Sequence, residues 1–488
     1  MKHLTQNSKR LFVHSLSIFG TSSDAGKSTL SFALTYLLHK EGIKVAPFKA
    51  QNVSNNSVVT DLNTGEIAIP QAFAAEAIGL QTTPLFNPIL LKSGSKNSAH
   101  LIINGQSLQD TDVWSYYKNL DKLKPIVKKA FKSLQREYEC IVAEGAGSPV
   151  ELNLMDKDLS NLYVAKKFNT KIILVADIER GGVFASIYGV YNLLPKKLRK
   201  NVIGVIVNKF RGDLRLFDKG VTIIEKEFGI KVLGVVPYLP FNLGFEDAAS
   251  LMGYKQDISK AIIKVAVIKL PHISNFTDFE PLVADSEIEL NFITTPSEAE
   301  HYDLLILPGS KRVFDDLLWL REQGFKKILQ DTNKKLFAIC GGYEMMFERL
   351  IDKSGVESQK ESLNGFSRLK GEVVFQTNKV LTKGCYNLFG TMCSGYEIHY
   401  GRTKKRAKKA KNFYGTFIHG IFECDGLREK IFKEINPQYQ GYNFKNYKQK
   451  AIADFAKHIQ EHIELDYILE RLNNDTHKPD NSTAGLPY

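Results

Sequence analysis

The 488-residue chain lacks an apolar run long enough to cross a bilayer, for which about 18–20 residues are needed. A membrane partner is therefore not expected. The opening MKHLTQNSKR is polar and leads straight into a strand-like segment, which argues against a secretory leader. A cytoplasmic location follows as the expectation. Cysteine is scarce: Cys140, Cys340, Cys385, Cys393 and Cys424 form no CxxC pair. An odd, irregularly spaced set reads as reduced, separately placed thiols rather than a disulfide framework or structural zinc. The absence of internal repeats and of long low-complexity tracts argues against solenoids and fibres.

What is present is ordinary for a globular protein, with 43% hydrophobic and 24% charged residues. The length exceeds what one hydrophobic core supports, so two or three domains are expected. The net charge of +12 is not spread evenly. Lys404, Lys405, Arg406, Lys408, Lys409 and Lys411 supply six positive charges in one short stretch without interleaved aromatics. That pattern reads as a solvated hairpin loop, with attraction of an anionic substrate as the sharper alternative. A nucleic-acid partner is not expected.

Short β-branched runs at 15–19, 43–48, 140–143, 171–176, 202–207 and 232–236 alternate with helical patterns such as 27–41 and 213–228. This is the signature of a parallel sheet wrapped by helices. A second such series follows at 262–270, 304–307, 336–339 and 413–418, with a helix at 313–321. The expected fold is α/β throughout. An N-terminal P-loop synthetase domain is placed at 1–252, a linker at 253–260 and a second α/β domain at 261–440. A helical segment at 441–474 and a tail at 475–488 complete the chain.

Two short segments carry chemistry. Gly20-Thr-Ser-Ser-Asp-Ala-Gly26-Lys27-Ser28 stands between a strand and a helix, the context of a nucleotide phosphate loop. Its glycines let backbone N–H groups face phosphate, and the helix start adds partial positive charge. Lys27 would reach the β/γ-phosphates and Ser28 would help hold Mg²⁺. Glu144 and Asp177 stand at the ends of two other strand-like runs, where carboxylates can bind metal or order substrate. Lys49 also closes a strand.

The second segment is Leu-Phe-Ala-Ile-Cys340-Gly341-Gly342. Strand, sharp turn and helix form a nucleophile elbow, and a helix start is expected to favour the thiolate. Backbone N–H groups at Gly309 and Gly341 are candidates for an oxyanion hole. His419 is the first choice of base and His399 the second.

Many ordered segments then share one resemblance. GTSSDAGKS, APFKAQNVSNNS, NPILLK, VAEGAGSPVELNL, VADIERGGVFAS, VNKFRGD, ISNFTDFEPL, LPGSKRV, ICGGYEMM, GYEIHYGR and GTFIHGIF cover about residues 15–435. Together they resemble the cobyric acid synthase family, the glutamine-dependent amidases of cobalamin biosynthesis. The five-residue spacing between the loop glycines agrees, a variant shared with dethiobiotin synthetases.

The resemblance implies a P-loop domain like that of dethiobiotin synthetase, followed by a class I glutamine amidotransferase-like domain. It implies that Cys340 attacks glutamine, His419 moves protons, and ATP activates a corrinoid carboxylate as an acyl phosphate. The substrate implied is adenosylcobyrinic acid a,c-diamide, amidated at its b, d, e and g carboxylates. Gly20, Thr21, Asp24, Ala25, Gly26, Lys27, Ser28, Thr29 and Lys49 fall at nucleotide positions by this matching. Ser28, Asp24 and Glu144 fall at Mg²⁺ positions, with Asn52 and Asp177 adjacent to substrate or metal.

Triad amidotransferases carry glutamate two residues after the histidine, whereas Ile421 stands there in this chain. The group orienting His419 is thus open, with Glu423 and Glu397 as candidates. The role of Asn275-Phe-Thr277-Asp278 is not derivable from sequence, and neither is oligomeric state. Sister enzymes that amidate the a and c carboxylates share both chemistries. CTP synthases would show Cys-Leu-Gly and His-Pro-Glu, both absent. A partitioning-type ATPase reading leaves Cys340 and His419 without a role.

Overall fold

The computed structural model describes residues 14–93, 98–241, 243–244 and 256–473. Residues 253–255 of the expected linker and the tail at 475–488 lie outside them. Two compact units emerge. One is drawn from Met1–Pro47, Lys132–Tyr238 and Lys457–Tyr488, the other from Phe48–Phe131 and Leu239–Ala456. Compactness therefore crosses the linear order, because residues 48–131 group with the rear half of the chain.

The first unit is built on a sheet of β1 (Leu16–Gly20), β2 (Val45–Phe48), β3 (Cys140–Glu144), β4 (Lys171–Asp177), β5 (Val202–Phe210) and β6 (Val232–Pro237). Their order is β6-β5-β4-β1-β3-β2. β1 runs parallel to both β3 and β4, so its C-terminal end lies between theirs. The central strands read as continuous apolar runs because helices cover both faces of such a sheet. Helix α1 (Lys27–Lys40) leaves directly from the loop after β1. All six strands match the sequence expectation to within a few residues at their ends.

The second unit holds β7 (Ile263–Ile268), β8 (Ile288–Ile293), β9 (Leu304–Leu307), β10 (Leu336–Ile339), β11 (Ala407–Ala410) and β12 (Phe413–Thr416). The order is β8-β7-β9-β10-β12-β11, parallel except for β11 against β12. The basic run is thus the edge hairpin, as expected. Lys409 pairs with Glu434 at 2.6 Å, and lysines on an edge strand discourage pairing with another chain. Two apolar clusters cover the faces of this sheet, one around Phe314 and Leu317, the other around Phe279 and Phe432.

Three features depart from the sequence reading. Residues 48–131 contain a small sheet of Gln51–Val53, Ile89–Ser93, Ser98–Ile103 and Gln106–Asp112, which short, polar strands concealed. The expected C-terminal helix is two helices, Phe444–Glu461 and Leu465–Asn473. Ile463, between them, bridges Gly234 of β6, and that pairing interrupts the helix. Finally, Cys393 and Cys424 are joined by a disulfide, correcting the expectation of separate thiols throughout. They lie 31 residues apart in sequence, a spacing that no short motif reveals.

Candidate active site

Cys340 follows β10 and adopts φ 48°, ψ −113°, a strained conformation for any residue with a side chain. Its N–H donates to the Thr416 carbonyl at 2.8 Å, which ties the turn to β12. The two glycines after it are required by close approach. A Cβ on Gly341 would lie 2.9 Å from the Ser310 nitrogen, and one on Gly342 would lie 2.6 Å from the Pro308 carbonyl oxygen. The turn therefore nests under the loop after β9. Gly342→Ala is expected to destabilise the second unit by about 1–3 kcal/mol through overpacking, read by denaturant unfolding.

That loop carries Gly309, whose missing side chain leaves room for the His419 ring; a Cβ there would sit 3.0 Å from its Cε1. Cys340, His419, Ser310 and Ser274 line one small cavity. The sequence-predicted nucleophile, base and oxyanion glycines are thus brought together. The resting thiol does not match the thiolate expectation. Burial pushes the Cys340 thiol well above its usual range, and the Glu344 and Asp278 carboxylates add to that, although the Gly341 N–H opposes it. Desolvation outweighs the start of a helix only five residues long. A nucleophilic role for this thiol would require removal of its proton.

Hydrogen bonding distinguishes the two candidate histidines. His419 Nδ1 lies 2.7 Å from Asp278 Oδ2, and both side chains are buried. Asp278 Oδ1 also accepts from the Gly420 N–H at 2.6 Å. A carboxylate on Nδ1 holds the proton there and leaves the Nε2 lone pair for a nucleophile. Among the described residues no hydrogen bond engages that Nε2. His399, the second choice, is differently held. Its Nδ1 contacts the Gly401 carbonyl at 2.7 Å and its Nε2 the Glu397 carboxylate at 3.1 Å. With an acceptor beside each nitrogen, neither ring nitrogen of His399 is left open. Glu397 therefore orients His399, and neither it nor Glu423 orients His419.

Asp278 was not identified from sequence. It lies 141 residues before His419, in the Asn275-Phe-Thr-Asp segment that had no derivable role. The available signal was negative: Ile421 cannot orient an imidazole, so a carboxylate had to come from elsewhere. Asn275 adopts φ 53° and its N–H donates to Asn56 Oδ1 at 2.8 Å, fixing the turn that presents Asp278. Asp278→Asn is expected to lower glutamine hydrolysis about 10²–10⁴-fold by upsetting the His419 tautomer. Steady-state ammonia release measures this.

In the first unit, the loop after β1 has the form of a phosphate cradle. Lys27 Nζ donates to the Ser22 carbonyl at 3.0 Å, curling over the loop. A Cβ on Gly20 would come within 2.7 Å of that ammonium, and Gly26 adopts φ 94° against the Asn208 amide. Thr29 Oγ1 donates to the Gly26 carbonyl at 3.0 Å, and Asn208 Nδ2 to that of Ala25 at 2.9 Å. Thr21 continues β1, its N–H donating to the Val175 carbonyl at 2.8 Å.

Ser28 Oγ donates to Glu144 Oε1 at 2.7 Å, joining two of the predicted metal residues. A hydroxyl beside a buried carboxylate is an oxygen donor set that suits Mg²⁺. Asp24 is not drawn in with them. Its exposed side chain pairs with Arg180 at 3.3 Å. Asp177 ends β4 and is paired with Lys209 at 3.0 Å. Lys49 and Asn52 are buried in the second unit, where the Lys49 N–H donates to the Phe86 carbonyl.

Comparison with known proteins follows the same division. Residues 16–241 match the CobQ/CobB/MinD/ParA nucleotide binding domain, and 264–427 the CobB/CobQ-like glutamine amidotransferase domain. A cobyric acid synthase of Acinetobacter baylyi is 52% identical over 94% of this chain and 99% of its own length. The chain belongs to the cobyric acid synthase family. Cobyric acid synthases of Klebsiella pneumoniae and a Geobacillus species are 38% and 37% identical. They cover 92% and 93% of this chain, and 96% of each relative is matched. Membership carries with it a P-loop nucleotide-binding domain, a glutamine amidotransferase domain and the enzyme class of a glutamine-hydrolysing carbon–nitrogen ligase. Among the described residues no helix is long and apolar enough to cross a membrane.

Proposed function

We propose that the chain amidates the b, d, e and g carboxylates of adenosylcobyrinic acid a,c-diamide, using ATP and glutamine, to give adenosylcobyric acid. The observation that carries the amide-donor half is the Asp278–His419 pair beside the cavity of Cys340. His419 Nε2 takes the thiol proton as sulfur attacks the glutamine carboxamide carbon. The C–N bond then breaks and the proton passes to the leaving nitrogen, which departs as ammonia. Water hydrolyses the resulting thioester and returns the thiol, with glutamate as product. N–H groups of Gly309 and Gly341 stabilise the tetrahedral oxyanion.

The acceptor half is assigned to the loop at Gly20–Ser28. Lys27 and the loop N–H groups bind the ATP phosphates, while Ser28 and Glu144 would hold Mg²⁺, which neutralises charge on the phosphate oxygens. A corrinoid carboxylate displaces ADP from the γ-phosphorus, and ammonia then displaces phosphate to leave the amide. In this reading 1–252 performs activation and 261–440 supplies ammonia. Lys49, Asn52 and Asp177 are proposed contributors to the acceptor site, and Asp24 a proposed nucleotide and metal neighbour.

The test is incubation of the full chain with the a,c-diamide, ATP, Mg²⁺ and glutamine, followed by mass spectrometry of the corrinoid. Stepwise exchange of carboxyl for amide, with glutamate and ADP released in step, is expected. An unchanged corrinoid alongside active glutamine hydrolysis would remove the substrate assignment but not the amidotransferase one.

A further inference from the structure

The cavity of Cys340 has a second wall that glutamine hydrolysis, as described above, does not use. Lys92, Lys311 and Lys379 line it, and Lys92 comes from residues 48–131 rather than from the amidotransferase segment. Lys92 Nζ pairs with Glu66 Oε2 at 2.6 Å, and Lys379 Nζ with Glu66 Oε1 at 2.8 Å. Ser57 Oγ binds both Lys92 and Glu66. All three ion-pairing side chains are nine-tenths or more buried. One carboxylate therefore faces two amine side chains out of water.

Two further carboxyl groups, Glu344 and Glu357, line the same cavity. Burial pushes the Glu344 carboxyl well above its usual range and that of Glu357 up to about 7. Lys92 is correspondingly pushed down to about 7 by burial, with Lys379 and Lys311 adding to the effect. A buried excess charge is costly unless a counter-charge meets it. Glu344 Oε1 is also buried with no hydrogen-bond partner among the described residues. The cavity thus sets two amines against one carboxylate and holds an acceptor without a partner, an arrangement that can receive an amino acid's carboxylate and ammonium. Its volume of about 40 Å³ holds only a few water-sized molecules, so a donor must part these long side chains on entry.

We propose that Lys92 and Lys379 bind the α-carboxylate of the amide donor, so that residues 48–131 supply a specificity determinant to the thiol site. This rests on reading Cys340 as the nucleophile for glutamine. It predicts discrimination for the carboxylate itself, separable from hydrolysis.

The test compares glutamine with 4-aminobutanamide, which keeps the amide and the amine but lacks the α-carboxylate. In the full-length Lys92→Met protein, kcat/KM for glutamine should fall about ten- to hundredfold, mainly through KM. Hydrolysis of 4-aminobutanamide should change little, and Lys92→Arg should retain most of the preference. Lys379→Met, which leaves Glu66 paired with Lys92, should show the same loss and serves if Lys92→Met does not fold. Equal loss for both amides, or an unchanged glutamine KM in folded variants, would overturn the proposal. A parent protein that hydrolyses neither amide would instead defeat the reading of Cys340.

Discussion

Cys340→Ala is expected to remove glutamine-dependent amidation almost completely, by at least about 10⁴-fold, while ammonium salts still support it. The size follows from the chemistry: no other group in the cavity can form the thioester, and alanine keeps the backbone of the turn. The buried environment adds to the case. A thiol held protonated by desolvation is inert unless His419 removes its proton, so the residual rate without sulfur should approach that of uncatalysed hydrolysis. Paired assays with glutamine and with ammonium chloride read the result. Simultaneous loss of both activities in a folded variant would contradict separate donor and acceptor chemistries.

Lys27→Ala is expected to stop amide formation from either nitrogen source, by about 10²–10³-fold, while glutamine hydrolysis persists. The Lys27 ammonium curls over a loop whose Gly20 would collide with it if it bore a side chain. That packing leaves the charge poised above the phosphate cradle. Alanine would withdraw it at the moment negative charge builds on the transferred phosphoryl group. Retained ammonia-dependent turnover would rule out the role given to Lys27. The two variants should thus fail in complementary ways.

The strongly buried elements were legible from sequence because burial writes a continuous apolar run, as in β4, β9 and β10. The long hairpin of Leu369–Leu388 and Thr391–Arg402 was not, since half of its side chains face water. The same reasoning covers Cys393 and Cys424. A strand and a distant turn must meet before either cysteine has a partner, and local spacing carries no record of that meeting.

Sequence alone settled the chemical vocabulary: a phosphate loop between a strand and a helix, a cysteine on a glycine-lined elbow, and a histidine at a strand end. Those features are local, because a sharp turn or a backbone cradle needs particular residues within a few positions of one another. Tertiary structure decided which groups work together. It leaves one ring nitrogen of His419 without a hydrogen bond among the described residues, pairs the other with Asp278 from 141 residues away, and sets Lys92 against the thiol cavity. Proton transfer and charge balance depend on distances of about 3 Å between side chains. Such distances are a property of the folded chain, to which positions along the sequence bear no fixed relation.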